Sequence, residues 1–220
     1  MQKINVIISW SSGKDATLVL ERLMEDPRYQ VVGLFTTYVA KEVPFQATPL
    51  AVVSLQAQRL GLPLVLIELP EVFPSNAIYQ STIINGLKDS GLPIDAVAFG
   101  DMFCNGIAAY RRSYIEPAGW QCVLPLLGES SAALAQEIIA RGIETHIVTV
   151  DSQQLSPEFC GHPYNAKLLE TLPQSVDPCG EDGEFHTLVT NTRSFSAPIA
   201  VQQTHVEKTE RFVYQRYQVQ

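Results

Sequence analysis

Residues 9–15 read Ser9-Trp10-Ser11-Ser12-Gly13-Lys14-Asp15, and what flanks them decides the fold. Upstream lies the apolar run Ile4-Asn5-Val6-Ile7-Ile8; downstream, Ala16, Val19, Leu20, Leu23 and Met24 recur at the spacing of one helix face. The pattern predicts a strand, a tight turn and a helix. Small residues at such a junction leave backbone N–H groups free, and the helix dipole adds partial positive charge there. The expectation is a phosphate seat built from residues 11–15, with the hydroxyls of Ser11 and Ser12 assisting and Lys14 supplying a cation. Asp15 is placed either to cap the helix or to hold a magnesium ion. The stretch is not a Walker A loop, since Gly13-Lys14 is followed by Asp15 and Ile8 stands five positions before Gly13. No Gly-x-Gly-x-x-Gly follows the strand, which excludes a dinucleotide-binding turn.

The rest of the first half alternates in the same way. Strands are expected over 31–36, 64–67 and 96–99, and helices over 50–60, closed by Gly61, and over 77–87, closed by the turn 89–91. Continuous apolar strands separated by amphipathic helices predict βαβ units and a parallel sheet covered on both faces. Ligands in such sheets bind at the carboxyl ends of strands, where both residues 9–15 and the Gly100-Asp101 turn fall. Beyond residue 100 the pattern is mixed. A helix is expected over 107–116, another over 132–141, strands over 145–150 and 210–217, and an irregular stretch over 151–163. A soft domain boundary is drawn near residue 100, giving units 1–100 and 101–220 that pack closely because no linker separates them.

The chain has 220 residues, a formal net charge of -8 and no run of lysine or arginine, so no basic stripe for nucleic acid is visible. The start of the sequence is too soon broken by polar residues for a signal peptide, and no apolar run approaches the ~20 residues that span a bilayer. Cys104, Cys122, Cys160 and Cys179 form no Cys-x-x-Cys pair, which points away from zinc and toward reduced thiols behaving as small hydrophobes. A cytoplasmic location is expected.

The densest chemistry outside the first loop is Asp177-Pro178-Cys179-Gly180-Glu181-Asp182-Gly183-Glu184-Phe185-His186-Thr187. Glycines there permit close approach of backbone to a ligand, and clustered carboxylates call for a cation between them. A solvated acidic turn is the alternative, against which Phe185 and Leu188 argue that the segment enters the fold.

The first loop resembles the pyrophosphate loop (PP-loop) of the ATP pyrophosphatase superfamily, usually Ser-Gly-Gly-x-Asp-Ser. With the second motif the resemblance sharpens to the diphthine–ammonia ligase, or diphthamide synthase, family. It is carried by residues 10–15, Gln56-Ala57 with 60–64, Phe99 to Phe103, Ala109-Tyr110-Arg111, Pro125-Leu126 and 177–187, in order along nearly the whole chain. The resemblance implies a Rossmann-like parallel-sheet sandwich of the adenine nucleotide alpha hydrolase kind, with a second, smaller α+β substrate domain. It implies ATP and Mg2+ as cofactors. It also implies an activity: ATP adenylylates a carboxylate, pyrophosphate leaves, and ammonium or another amine attacks to form an amide.

On that resemblance Ser11, Ser12, Gly13, Lys14, Asp15, Thr17 and Gly100 are expected to bind the nucleotide, and Asp15 and Asp101 the magnesium ion. Lys14, Asp101 and Glu184 are expected to act in catalysis, with Glu184 folding back over the crevice near Asp101. Tyr110, Arg111, Gly180, Glu181, Gly183, Glu184, His186 and Thr187 are expected to line the acceptor site. The bland alternatives are a surface lysine at 14, turn or cap carboxylates at 101 and 184, a solvated Arg111 and a packed His186. The chain departs from the family at Ser12, where a glycine is usual, at Ala16, at Gly106 and Ala108, where an acid and an arginine are usual, and at Leu127. The expected acceptor is therefore a small-molecule or protein-borne carboxylate other than diphthine. No nucleic acid or membrane partner is expected, and a homo-oligomer is allowed. The alternative function is a non-catalytic sensor of ATP or AMP.

Overall fold

The computed structural model describes every residue except Met1, Ala47 and Cys104. In chain order the elements are β1 (Ile4–Ser9), α1 (Lys14–Glu25), β2 (Tyr29–Tyr38), the short pair β3 (Glu42–Val43) and β4 (Thr48–Pro49), α2 (Leu50–Leu60), β5 (Leu64–Glu68), α3 (Asn76–Asp89) and β6 (Ala96–Ala98). Then come α4 (Ile107–Ile115), β7 (Gln121–Val123), α5 (Ser131–Ala140), β8 (Glu144–Asp151), α6 (Ala166–Thr171), β9 (Phe185–Asn191), β10 (Val201–Lys208) and β11 (Phe212–Val219).

Five strands form a parallel sheet in the order β5-β2-β1-β6-β7. Its central strand owes its place to being apolar on both faces. Val6 and Ile8 enter one core with Leu18, Leu20, Val53, Ala57, Leu134 and Ile138, while Ile7 enters the other with Ile83, Leu87, Tyr114 and Ile115. Helices α1, α2 and α5 thus cover one face and α3 and α4 the other. The strand order reverses direction beside β1, so the crevice between the ends of β1 and β6 is the topological switch point.

The second sheet is antiparallel, in the order β10-β11-β8-β9. Its Ile147, Val150, Phe185 and Val189 belong to the same core as Val6 and Ile8. The expected boundary near residue 100 falls before β7, the fifth strand of the parallel sheet.

The helix over 50–60 ends as expected, with Gly61 at φ 66 donating to Ala57 and Gln58. Met24, read as part of the buried face of α1, is instead 49% exposed, since the helix reaches the surface in its last turn. Strands β9 and β10 had no expectation. β9 absorbs the end of the acidic motif, because Phe185, Thr187, Leu188 and Val189 are all buried in a strand that pairs with β8 and packs against α1, with Leu188 against Val52 of α2. Cys179 is buried, Cys122 and Cys160 are partly so, all three as free thiols, and Cys104 lies outside the described residues. No described helix is long and apolar enough to cross a membrane.

A candidate phosphate-binding cleft

A cleft of about 240 Å³ opens at the switch point. Its floor is the end of β1 and the start of α1, its sides are Phe99 to Asp101 with Arg111 of α4, and its far wall is the loop 179–183 with the start of β9. The two motifs, more than 160 residues apart in sequence, meet across it.

The turn between β1 and α1 is held from several sides. Trp10 N–H donates to Phe35 O at 2.7 Å, and Thr36 Oγ1 donates to Trp10 O at 2.7 Å. Ser12 adopts φ 72, a left-handed conformation costly for a residue with a Cβ. Its carbonyl accepts from Val189 N–H at 3.0 Å. Lys14 N–H donates to Thr187 Oγ1 at 3.2 Å. The N–H groups of Ser11, Ser12 and Ala16 find no acceptor among the described residues; Ser11 and Ala16 line the cleft and leave donors at the mouth of the helix for an anion, whereas Ser12 is fully buried. Gly13 is small for a reason the sequence did not reveal. A Cβ there would stand 3.1 Å from Thr187 O and 3.2 Å from its Oγ1, so the glycine makes room for β9.

Lys14 is not a surface residue. Only 2% of its side chain is exposed, and its ammonium donates to Asp15 Oδ2 at 2.9 Å and to the carbonyl of Cys179. The rings of Tyr164 and Phe185 flank it at 5.6 and 5.5 Å. Burial, the largest single influence, works against its charge, but Asp15, Cys179 and Glu181 together outweigh it and the Lys14 pKa is raised. Asp15 is itself raised, by burial first, with Lys14 opposing. Its Oδ1 is buried without a partner. Asp101 lines the cleft with both oxygens engaged by Arg111, at 2.9 Å from Nε and 3.3 Å from Nη2. Arg111 lies over the Phe99 ring at 4.4 Å and also donates to Tyr114 Oη at 3.1 Å. It is a buttressed cleft residue rather than a solvated one.

Across the cleft, burial and the charge of Asp15 push the Glu181 carboxyl up to about 7, against the pull of Lys14. His186 goes the other way, down to about 4, through burial and the Lys14 ammonium, and is a neutral imidazole near neutral pH. Burial pushes the Cys179 thiol up to about 12.

The cleft therefore brings together Ser11, Gly13, Lys14, Asp15, Gly100, Asp101, Arg111, Gly180, Glu181, Gly183, His186 and Thr187 of the expected residues. Four others do not line it. The Ser12 hydroxyl turns inward and donates to Thr48 Oγ1 and Gln46 Oε1, each at 3.2 Å. Thr17 Oγ1 donates back to Gly13 O at 2.9 Å. Tyr110 packs behind Arg111, with its hydroxyl toward Asn76 Oδ1 at 3.5 Å. Glu184, expected over the crevice, points into the protein, where Oε1 accepts from Asp177 N–H at 2.7 Å and Oε2 has no partner.

Sequence reasoning missed Gln46 on the cleft wall and Tyr164 beside Lys14, neither of which stands in a motif. It also assigned no role to Gln56, although that residue lies in a stretch matching the family.

A second groove of about 230 Å³ adjoins the cleft and shares Ser11, Gln46 and His186 with it. Its other walls are largely apolar, from Val43, Pro44, Phe45, Leu69, Val72 and Tyr79, with Thr37 at the end of β2.

As a magnesium site the cleft fits in part. Mg2+ is usually held by one or two carboxylates together with substrate phosphates. The unpartnered Asp15 Oδ1 suits that role, whereas Asp101 is spoken for by Arg111. No group of three or more His, Cys, Asp or Glu able to hold a metal stands among the described residues.

Fold and cleft define an α/β protein with unpaired backbone N–H groups in a tight turn at the switch point of a parallel sheet. Residues 130–219 match the family model of the diphthamide synthase C-terminal domain, so the resemblance drawn from the motifs holds over that part of the chain. No curated protein matches the chain. Among solved structures, the chain is similar to a protein described as a predicted subunit of tRNA methyltransferase from Methanocaldococcus jannaschii. That match has a TM-score of 0.42 and 16% identity over 67% of this chain and 78% of that one. It is also similar to the U34-tRNA thiolase NcsA from Methanococcus maripaludis, described with its 4Fe–4S cluster, at a TM-score of 0.40 and 17% identity over 62% and 56% of the two chains.

Proposed function

We propose that this chain is an ATP-dependent amide-forming ligase that works through an acyl-adenylate. The observation that carries the reading is the pair of unpaired N–H groups at Ser11 and Ala16, gathered with Arg111 and the acidic-motif loop in one cleft. The diphthamide synthase match over 130–219 supports the same chemistry. Triphosphate sits on residues 11–16, and the base enters the adjoining apolar groove, because about 240 Å³ is less than the ~300–1,000 Å³ of ordinary small-molecule sites. A carboxylate oxygen of the acceptor attacks the α-phosphorus, and the bond to the bridging oxygen breaks with loss of pyrophosphate. The amine then attacks the acyl carbon and AMP leaves.

The residues act by positioning and by charge. Arg111, held by Asp101 and Phe99, keeps N–H groups to spare for the acceptor carboxylate. Magnesium, when bound at Asp15, offsets phosphate charge. Glu181 and the neutral His186 are placed to take protons from the attacking amine. The acceptor is a carboxylate other than diphthine. Where the family carries an acid, this chain has the exposed Gly106, at φ 92 in the cap of α4. One observation favours the sensor reading: the Lys14 ammonium is already engaged by Asp15 and Cys179.

The test is incubation with ATP, magnesium, ammonium and candidate carboxylates. The expected result is acceptor-dependent release of AMP and pyrophosphate. Tight ATP binding with no cleavage under any acceptor supports the sensor, and failure to bind ATP removes both readings.

A further inference from the structure

We propose that Gln56 is a positioning residue for nucleotide binding, holding the turn 10–12 in the shape that leaves the Ser11 N–H unpaired at the cleft. The inference rests on the nucleotide reading of the cleft. Gln56 sits on α2, away from the cleft wall, and is fully buried. Its amide is used at both ends. Oε1 accepts from the indole Nε1 of Trp10 at 2.8 Å, and Nε2 donates to Ser12 O at 3.2 Å and to Val189 O at 2.8 Å. One side chain thus ties the residues on either side of Ser11 to each other and to β9, the strand that carries His186 and Thr187 into the cleft.

The tie is needed because the turn does not hold its shape by local preference. Ser12 is left-handed without being glycine, and its carbonyl takes two hydrogen bonds, one from Gln56 and one from Val189. Relaxing Ser12 to an ordinary conformation swings that carbonyl and the adjoining N–H groups away from their present directions. Other residue types do not satisfy the same groups. A glutamate sets a carboxylate against two carbonyls, and methionine, of similar shape, leaves the Trp10 indole N–H unpaired in the core and takes one hydrogen bond from each of the Ser12 and Val189 carbonyls. Gln56 touches neither ligand nor cleft, so its effect on binding runs through the turn alone.

The experiment compares Gln56→Met and the shortened Gln56→Asn with Ile138→Ala, a buried change on α5 remote from the cleft that lowers stability without touching the turn. ATP with magnesium is titrated by calorimetry at a temperature where all are folded. Both Gln56 variants are expected to bind ATP at least ~10-fold more weakly than the parent, with Ile138→Ala unchanged, because small displacements of donor groups carry costs of that order. In 15N-labelled protein the indole signal of Trp10, one of two tryptophans, is expected to move in the Gln56 variants only. ATP affinity within twofold of the parent in a folded Gln56 variant overturns the proposal. A parent that binds no ATP removes the nucleotide reading instead. In that event hydrogen exchange at the Lys14 and Val189 amides decides the positioning claim: faster exchange in Gln56→Met than in Ile138→Ala supports it, and equal exchange overturns it.

Discussion

At residue scale the turn shows how a departure from a family pattern is absorbed. Ser12 stands where a glycine is usual, and its φ of 72 explains the preference for glycine. The serine offsets its strain with hydroxyl bonds to Thr48 and Gln46. Ser12→Ala keeps the strain and loses the bonds, and is expected to cost ~1 kcal/mol. Ser12→Gly loses the same bonds but sheds ~1–2 kcal/mol of left-handed strain, so it is expected to stay near the parent. Urea titration of the pair checks this, and equal losses in both would show that the backbone is not the cause. Glu181 and His186 make a second residue-scale test. Glu181 rises from 4.5 to about 7 on folding, so the folded state keeps a proton that the unfolded chain releases. Its contribution is present below pH 4.5 and is lost as pH rises toward 7. His186 falls from 6.5 to about 4, so its contribution is present above pH 6.5 and is lost as pH falls toward 4. Between pH 4.5 and 6.5 the two slopes oppose each other. In Glu181→Gln the melting temperature is expected to climb with pH over that window more steeply than in the parent. Parallel curves would mean that Glu181 titrates normally.

At the scale of elements, the acidic motif divides into a loop that faces the cleft and a strand that enters the core. Glu184 stands at the junction and holds the loop from behind, through Asp177 N–H. Read from sequence, a Glu184→Gln change spares stability and cuts turnover at least ~100-fold, as loss of a charge-stabilising group would. The geometry predicts another outcome. Glu184→Gln keeps an acceptor for Asp177 and is expected to leave AMP release per folded molecule close to the parent's. Glu184→Ala strands the partly buried Asp177 N–H and is expected to cost ~1 kcal/mol. Measuring melting and turnover on the same preparations decides, and a large fall in turnover with an unchanged melting temperature would return the carboxylate to the site. Gly180, at φ 74, fixes the other end of the loop, since a Cβ there would lie 2.7 Å from Phe185 O.

At the scale of the molecule, the two sheets share one core and are fastened by ions at the far end of α1. Glu21, with no exposed side-chain surface, accepts from Arg141 at 3.2 Å, from Arg193 at 2.9 Å and from the Thr192 hydroxyl. Arg22 adds Glu129 and Glu137, so α1 is joined at once to α5 and to the end of β9. Removing one partner of a buried charge group is strongly destabilising, and Glu21→Ala is expected to cost ~3–5 kcal/mol. Because the core is continuous, calorimetry of that variant is expected to give a single transition moved to lower temperature. Two separated transitions would mean that the sheets fold independently.

The sequence by itself determined the alternating half: β1, α1, α2 and the strand ends where the first loop and Gly100-Asp101 fall. Those elements are set by local periodicity and by glycine stops, which act over a few residues. It also marked both motifs that meet at the cleft. Tertiary structure alone decided what each motif residue does there. β9 could not be read because its residues are buried between partners far away in the chain, which gives no alternating pattern. Lys14 and Glu184 are both charged residues in motifs, yet one lines the cleft and the other turns its back on it. That difference depends on which neighbours remove each side chain from water, and those neighbours come together only when the two sheets close on their common core.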